Sequence, residues 1–161
     1  MKLYQRKNVD MRNVILFGGG SLALETINYF NDINSNSNCK IVGIIDEYNS
    51  NIKPLEKCNN SKLDFYKNID DIQITDYKFI ICVMEPKVRS RIYRELKEKN
   101  AKFMSIIHPS AYISKSAIIG EAVIVCPHSY IGPNSKVADN AVINIYASIG
   151  HDSYLGESSF M

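Results

Sequence analysis

From Ile107 onward the chain repeats every six residues, reading IHPSAY, ISKSAI, IGEAVI, VCPHSY, IGPNSK, VADNAV, INIYAS, IGHDSY, LGESSF and a final Met161. The first place of each six is aliphatic or Met: Ile107, Ile113, Ile119, Val125, Ile131, Val137, Ile143, Ile149, Leu155 and Met161. The fifth place is small, running from Ala111 and Ala117 through Val123, Ser129 and Ser135 to Ala141, Ala147, Ser153 and Ser159. If roughly a third of residues are aliphatic, ten hits in a row arise by chance about once in ten thousand or less. The repeat is therefore structural.

A period of six suits neither an amphipathic helix nor a hairpin strand; it suits a parallel β-helix with three short strands per coil and one hexapeptide per strand. The aliphatic residue points inward and stacks on its equivalent in the next coil. The small residue also points inward, near a corner where a larger side chain would collide with its neighbour. Gly120, Gly132, Gly150 and Gly156 follow the aliphatic residue at four of the turns. Each coil buries its inner face only against other coils, so stability comes from stacking.

At 161 residues the chain holds one medium domain or two small ones. The net charge of +2 is spread along it, so nothing suggests a nucleic-acid footprint. Cys39, Cys58, Cys82 and Cys126 have neither CxxC spacing nor a matching histidine pattern, so reduced thiols are expected rather than a metal site or disulfides. The opening MKLYQRKNVD lacks an apolar core, and no stretch is long enough to cross a membrane. The expectation is a soluble cytoplasmic protein.

Residues 1–11 read as a short tail, with Met11 an alternative start. Val14 to Phe17 form an apolar run suited to a buried parallel strand, broken by Gly18, Gly19 and Gly20. Ser21 is placed to cap a helix carrying Leu24, Ile27, Asn28 and Phe30 near one face. A second strand, Ile41 to Ile45, ends at Asp46 and Glu47. The turn fits GxGxxA, whose glycines let the backbone approach a phosphate at a helix N-terminus; an ordinary βα turn would read the same way. Asp46 is placed to accept hydrogen bonds from a ribose or base, or to stand as a solvated strand-end acid. Tyr48 to Lys62 reads as loop. Phe79 to Val83 is a third strand, and Glu85-Pro86 opens a helix with Val88, Ile92 and Leu96 at i, i+4 and i+8. Arg89 and Arg91 in its first turns suit either a phosphate or a solvated face. Lys102 to Ile106 is a fourth strand. The fold class is thus α/β followed by β: a small Rossmann-like parallel α/β domain over 12–106, then a parallel β-helix over 107–161.

The glycine turn, the acid pair after strand two, the Arg-bearing helix, the phrase IIHPSA and the hexapeptides together resemble the NeuD/PglD-type sugar acetyltransferases. The resemblance covers nearly all of residues 12–161. It implies a left-handed β-helix, a homotrimer, acetyl-CoA as co-substrate between neighbouring β-helices, and an N-terminal domain that holds the nucleotide of a UDP-linked amino sugar. It implies a general base in His151-Asp152, since a sugar amine loses a proton as it attacks a thioester and a carboxylate can fix the imidazole tautomer. For the nucleotide sugar it implies Gly18, Gly20, Ser21 and Leu22, then Asp46 and Glu47, with Met84 and Arg89 beside them. Phe160 stands where the family carries a second His near the thioester. Leu22 replaces another common His, and Met84 replaces a Gly. His108 is expected to be structural and His128 exposed. Family members continue with further coils that carry part of the acetyl-CoA site, whereas 107–161 supplies about three.

The leading expectation is N-acetylation of a UDP-linked 4-amino sugar for bacterial surface glycan synthesis. O-acetylation of sialic acid, a GDP-linked amino sugar, or a nucleotide-sugar-binding module without transferase activity are the alternatives. An NAD-dependent enzyme leaves the β-helix without a purpose.

Overall fold

A computed structural model describes residues 13–33, 39–47, 53–58 and 62–161. The tail over 1–11, and 48–52 and 59–61 of the expected loop, lie outside the described residues.

Among the described residues the first part of the chain forms a parallel five-stranded sheet. Its strands are β1 (Asn13–Phe17), β2 (Lys40–Ile45), β3 (Asp64–Tyr66), β4 (Lys78–Ile81) and β5 (Lys102–Phe103), in the order β3-β2-β1-β4-β5. Val14 to Phe17 and Phe79 to Ile81 are essentially inaccessible, as expected for parallel strands covered on both faces. Helix α1 (Ser21–Ile33) covers one face and α3 (Pro86–Glu98) the other. In α1 the Gly20 carbonyl accepts from the Ala23 and Leu24 N–H groups, which puts Gly20 at the cap position expected for Ser21. In α3 Pro86 occupies the first turn and the Glu85 carboxylate accepts from Val88 N–H at 2.7 Å.

Several boundaries differ from the sequence reading. Lys53–Cys58, read as loop, is a short helix, α2, and β3 had no counterpart. Elements of six and three residues show too little periodicity to stand out. The third strand stops at Ile81 rather than Val83, and the fourth at Phe103.

The hexapeptides fold as expected. Strands β6 (Ile106–Ile107), β9 (Ile124–Val125) and β12 (Val142–Ile143) form one parallel sheet. A second comprises β7 (Tyr112–Ile113), β10 (Tyr130–Ile131) and β13 (Ser148–Ile149), and a third β8 (Ile118–Ile119), β11 (Lys136–Val137) and β14 (Tyr154–Leu155). Together they wind into a short left-handed β-helix. First-place residues Val125, Ile131, Val137, Ile143 and Ile149 are buried in its centre with fifth-place Val123 and Ala141. Fifth-place Ser129 and Ser135 are buried too, and each hydroxyl donates to a carbonyl three residues back, at 2.8 and 2.6 Å. From the third hexapeptide on, the fourth place turns each corner in the left-handed region: Ala122, His128, Asn134, Asn140, Tyr146, Asp152 and Ser158 all have φ between 55° and 59°. Asn and Asp tolerate that backbone better than most residues, and they hold three of the seven corners.

Sixth-place side chains point outward, and among the described residues one sheet of the three is covered. Ile106, Ile124 and Val142 are fully buried in the same core as Leu16, Leu22 and Ile44, with Phe160 packed against it. Each contributes about 1.5–3 kcal/mol by burial. On the other faces Tyr112, Ile118 and Tyr154 are more than half exposed.

Candidate active site

The carboxyl ends of β1, β2 and β4 open into a cavity of about 180 Å³ at the glycine turn, lined by Gly18 to Leu22, by Asp46 and by Cys82 to Met84. The turn is shaped by close approach. A Cβ on Gly18, whose φ is +106°, would stand 2.7 Å from the Cys82 carbonyl oxygen, and one on Gly19 would stand 2.9 Å from Asp46 Oδ2. Side chains therefore cannot occupy this rim without displacing strand β4 or the acid. Gly20 has open space around it, so Gly19 is a site residue that pattern matching passed over. Asp46 is nearly buried at the base of the cavity. Leu22 is buried and apolar, and offers no hydrogen bond. Met84, 47% exposed, forms part of the wall.

Two expected substrate contacts stand elsewhere. Glu47 is ion-paired with Arg91 at 2.7 Å rather than lining the cavity. Arg89 is corrected outright, because it is fully buried and unable to meet a phosphate. Its Nε donates to Asn140 O at 2.6 Å, Nη1 to Ile81 O and to Val83 O (3.1 Å), and Nη2 to Ala122 O at 3.1 Å. Burial pulls its pKa down to about 10, so it remains charged at neutral pH. The guanidinium ties the end of β4 to two corners of the β-helix. The sequence carried a signal for this, since Arg89, Ile92, Tyr93 and Leu96 share the buried stripe of α3.

His151 and Asp152 protrude from a corner of the last coil, with side chains 80% and 63% exposed. His151 Nδ1 lies 2.7 Å from Asp152 Oδ2, and Asn134 Nδ2 donates to the other carboxylate oxygen at 3.1 Å. The hydrogen bond to His151, then that from Asn134, holds the Asp152 carboxyl below the usual carboxylate range. With an ionised acceptor on Nδ1, the proton sits there and Nε2 carries the lone pair that can take a proton from an amine. Beneath this corner Gly132 leaves no room: a Cβ would lie 2.8 Å from His151 N. Gly132→Ala should therefore cost about 1–3 kcal/mol of stability and displace the imidazole, seen as a lower Tm together with reduced activity.

Phe160 is bridged to Val142 on the covered side of the β-helix and lines a second cavity, of about 430 Å³, that does not include His151. The other histidines stand where expected. His108 is tied to Ser110 (2.7 Å) and Asp32 (3.2 Å), joining α1 to the first coil, and exposed His128 stacks on Tyr146. Among the described residues no helix is long and apolar enough to cross a membrane.

No protein-family model matches the chain. Over 117 residues, 71% of its length, it is 29% identical to the UDP-N-acetylbacillosamine N-acetyltransferase of Bacillus subtilis, of which it spans about half (51%). The acetyltransferase domain of PglB from Neisseria gonorrhoeae superposes with a TM-score of 0.78 at 18% identity, over 92% of this chain and 70% of that one. That domain has also been solved with acetyl coenzyme A. PerB from Caulobacter crescentus, solved with CoA and GDP-perosamine, superposes with a TM-score of 0.74 at 21% identity, over 92% of this chain and 67% of that one. In fold, then, the chain resembles the PglB acetyltransferase domain and PerB, and in sequence the Bacillus subtilis enzyme, with a parallel α/β sheet followed by a hexapeptide β-helix.

Proposed function

We propose that this chain acts as an acetyl-CoA-dependent N-acetyltransferase on a nucleotide-linked amino sugar, specifically a UDP-linked 4-amino sugar of bacterial surface glycan synthesis. The observation that carries the reading is the His151–Asp152 pair, bonded at 2.7 Å through Nδ1 and exposed at the solvent edge of the β-helix. In this scheme residues 12–106 hold the nucleotide sugar, with Gly18, Gly19, Gly20, Ser21 and Asp46 against the nucleotide and the α1 N-terminus facing its phosphate. Residues 107–161 present the base. Nε2 of His151 takes the amine proton as nitrogen attacks the acetyl thioester, the C–S bond breaks, and the imidazolium returns that proton to the leaving sulfur, so that CoA departs as the thiol. Asp152 stabilises the imidazolium that forms.

A homotrimer completes the site in this reading. The stacked rings of Tyr112 and Tyr130, with centroids 5.3 Å apart, and exposed Ile118 and Tyr154 give the uncovered faces an apolar surface suited to a second copy. The cysteines form no disulfide among the described residues, in keeping with a cytoplasmic reaction.

The test is release of free CoA from acetyl-CoA in the presence of a UDP-4-amino sugar, read with a thiol reagent. Release dependent on the sugar supports the enzyme. Calorimetric binding of the sugar with no release would instead identify a nucleotide-sugar-binding module. Release with only a GDP-linked sugar would move the substrate assignment to that class.

A further inference from the structure

The side chains of His151 and Asp152 are 80% and 63% exposed, so packing alone does little to fix the imidazole. What holds the pair comes from the preceding coil. Asp152 N–H donates to the Pro133 carbonyl at 2.9 Å, and Gly132 lies directly against the His151 backbone. Asn134 Nδ2 donates to Asp152 Oδ1 at 3.1 Å, while His151 Nδ1 donates to Asp152 Oδ2 at 2.7 Å. Asn134 N–H in turn donates to Ser116 Oγ at 3.0 Å. Ser116, Asn134 and Asp152, spaced 18 residues apart, thus form a column that ends on the imidazole.

Asn134 turns its corner at φ 57°, a backbone that Asn tolerates, and that alone would account for an Asn here. Two observations give its side chain a further task. It faces a carboxylate, which when ionised can only accept, so the amide NH2 rather than the amide oxygen meets Asp152. Asp152 is also the one carboxylate among the seven left-handed corners of the β-helix. The neighbouring columns end on uncharged groups: His128 stacks on Tyr146, and Asn140 Nδ2 donates to Ser158 Oγ at 2.9 Å. With His151 on one oxygen and Asn134 on the other, the Asp152 carboxylate cannot rotate without breaking a hydrogen bond. The acceptor for Nδ1 therefore stays in place.

We propose that Asn134 is a positioning residue for the general base: it anchors Asp152 from the preceding coil, and Asp152 keeps the His151 proton on Nδ1. Nε2 is then left with the lone pair that takes a proton from the amine. Which ring nitrogen is protonated is set by the hydrogen bond that the other makes. An exposed imidazole without a fixed acceptor at Nδ1 shifts its proton toward Nε2, and a ring protonated there cannot act as a base at that atom. The consequence for turnover rests on the transferase reading of His151, whereas the consequence for the tautomer does not.

The test compares the parent with Asn134→Gly and Asn134→Asp, both of which accept a left-handed corner, with melting curves to check the fold. Gly removes the donor, and Asp sets a second carboxylate against the first. Ring-nitrogen NMR of His151, assigned against His151→Ala and recorded where the imidazole is neutral, should show the Nδ1–H form predominating in the parent. Both variants should lose that predominance. In sugar-dependent CoA release, kcat should fall about three- to tenfold in Asn134→Gly, the effect of one hydrogen bond to a carboxylate, and further in Asn134→Asp. KM for acetyl-CoA should not change. If the parent releases no CoA while its tautomer still depends on Asn134, the anchor stands and the transferase reading fails. A tautomer unmoved in both variants overturns the proposal, whether or not release falls. So does a shifted tautomer in an active chain whose kcat is unchanged.

Discussion

Replacing Arg89 with Met should lower the free energy of unfolding by about 3–5 kcal/mol and the melting temperature by about 10 °C. Methionine preserves much of the packing of the aliphatic stem but removes every donor. Four carbonyl oxygens, from Ile81, Val83, Ala122 and Asn140, then lose a partner in a largely buried seam. Each buried acceptor left unpaired costs about 1–3 kcal/mol, and relaxation together with relief from burying a charge offsets part of the sum. Arg89→Lys should fall between the two, since one ammonium cannot reach all four oxygens. Urea unfolding with matched m-values is the measurement. A loss under about 1 kcal/mol would mean that apolar contacts alone hold the seam. Because Val83 also borders the glycine-turn cavity, the Met variant should weaken nucleotide-sugar binding along with stability.

The second large effect is catalytic and should leave the fold alone. His151→Ala is expected to cut sugar-dependent CoA release by about 10²–10⁴, the range associated with a positioned general base. The side chain is 80% exposed, so its removal costs little stability, and circular dichroism and melting should match the parent. Asp152→Asn isolates the carboxylate. Asn accepts the left-handed backbone that Asp152 adopts at φ 55°, so the corner should persist while the charge beside the imidazole is lost. An intermediate decline is expected, about tenfold or more. The native carboxyl lies below its usual range, so its pairing contribution is present above the unfolded carboxylate pKa and is lost as pH falls through the lower folded value. Asp152 therefore stays ionised through mildly acidic conditions. Full activity in His151→Ala would remove the basis of the proposed mechanism.

The repeat was readable because each coil depends on a rule that acts every six residues. An inward aliphatic and a small corner residue satisfy it without reference to the rest of the chain. The sixth place carried a second message that was not read. At Ile106, Ile124, Val142 and Phe160, one place in every 18 residues, an outward position is apolar, and that is the sheet covered by the α/β core. The glycine turn was legible through Gly18, Gly20, Ser21, Leu22 and Asp46, all of which line one cavity. Gly19 was missed because its constraint is the Asp46 carboxylate beneath it, which no turn pattern encodes.

The sequence by itself determined the β-helix, the strand–turn–helix over residues 13–33 and the adjacency of His151 to Asp152, since local spacing and period specify each. Only the tertiary structure decided that Arg89 is a buried tie and Glu47 an ion-pair partner. It also placed Phe160 beside α3, apart from the imidazole. These outcomes depend on partners 44 or 51 residues away for Glu47 and Arg89, and on how α3 docks against the coils. A cation in the first turns of a helix is solvated, ligand-bound or buried according to what the fold sets against it, and that is a property of packing.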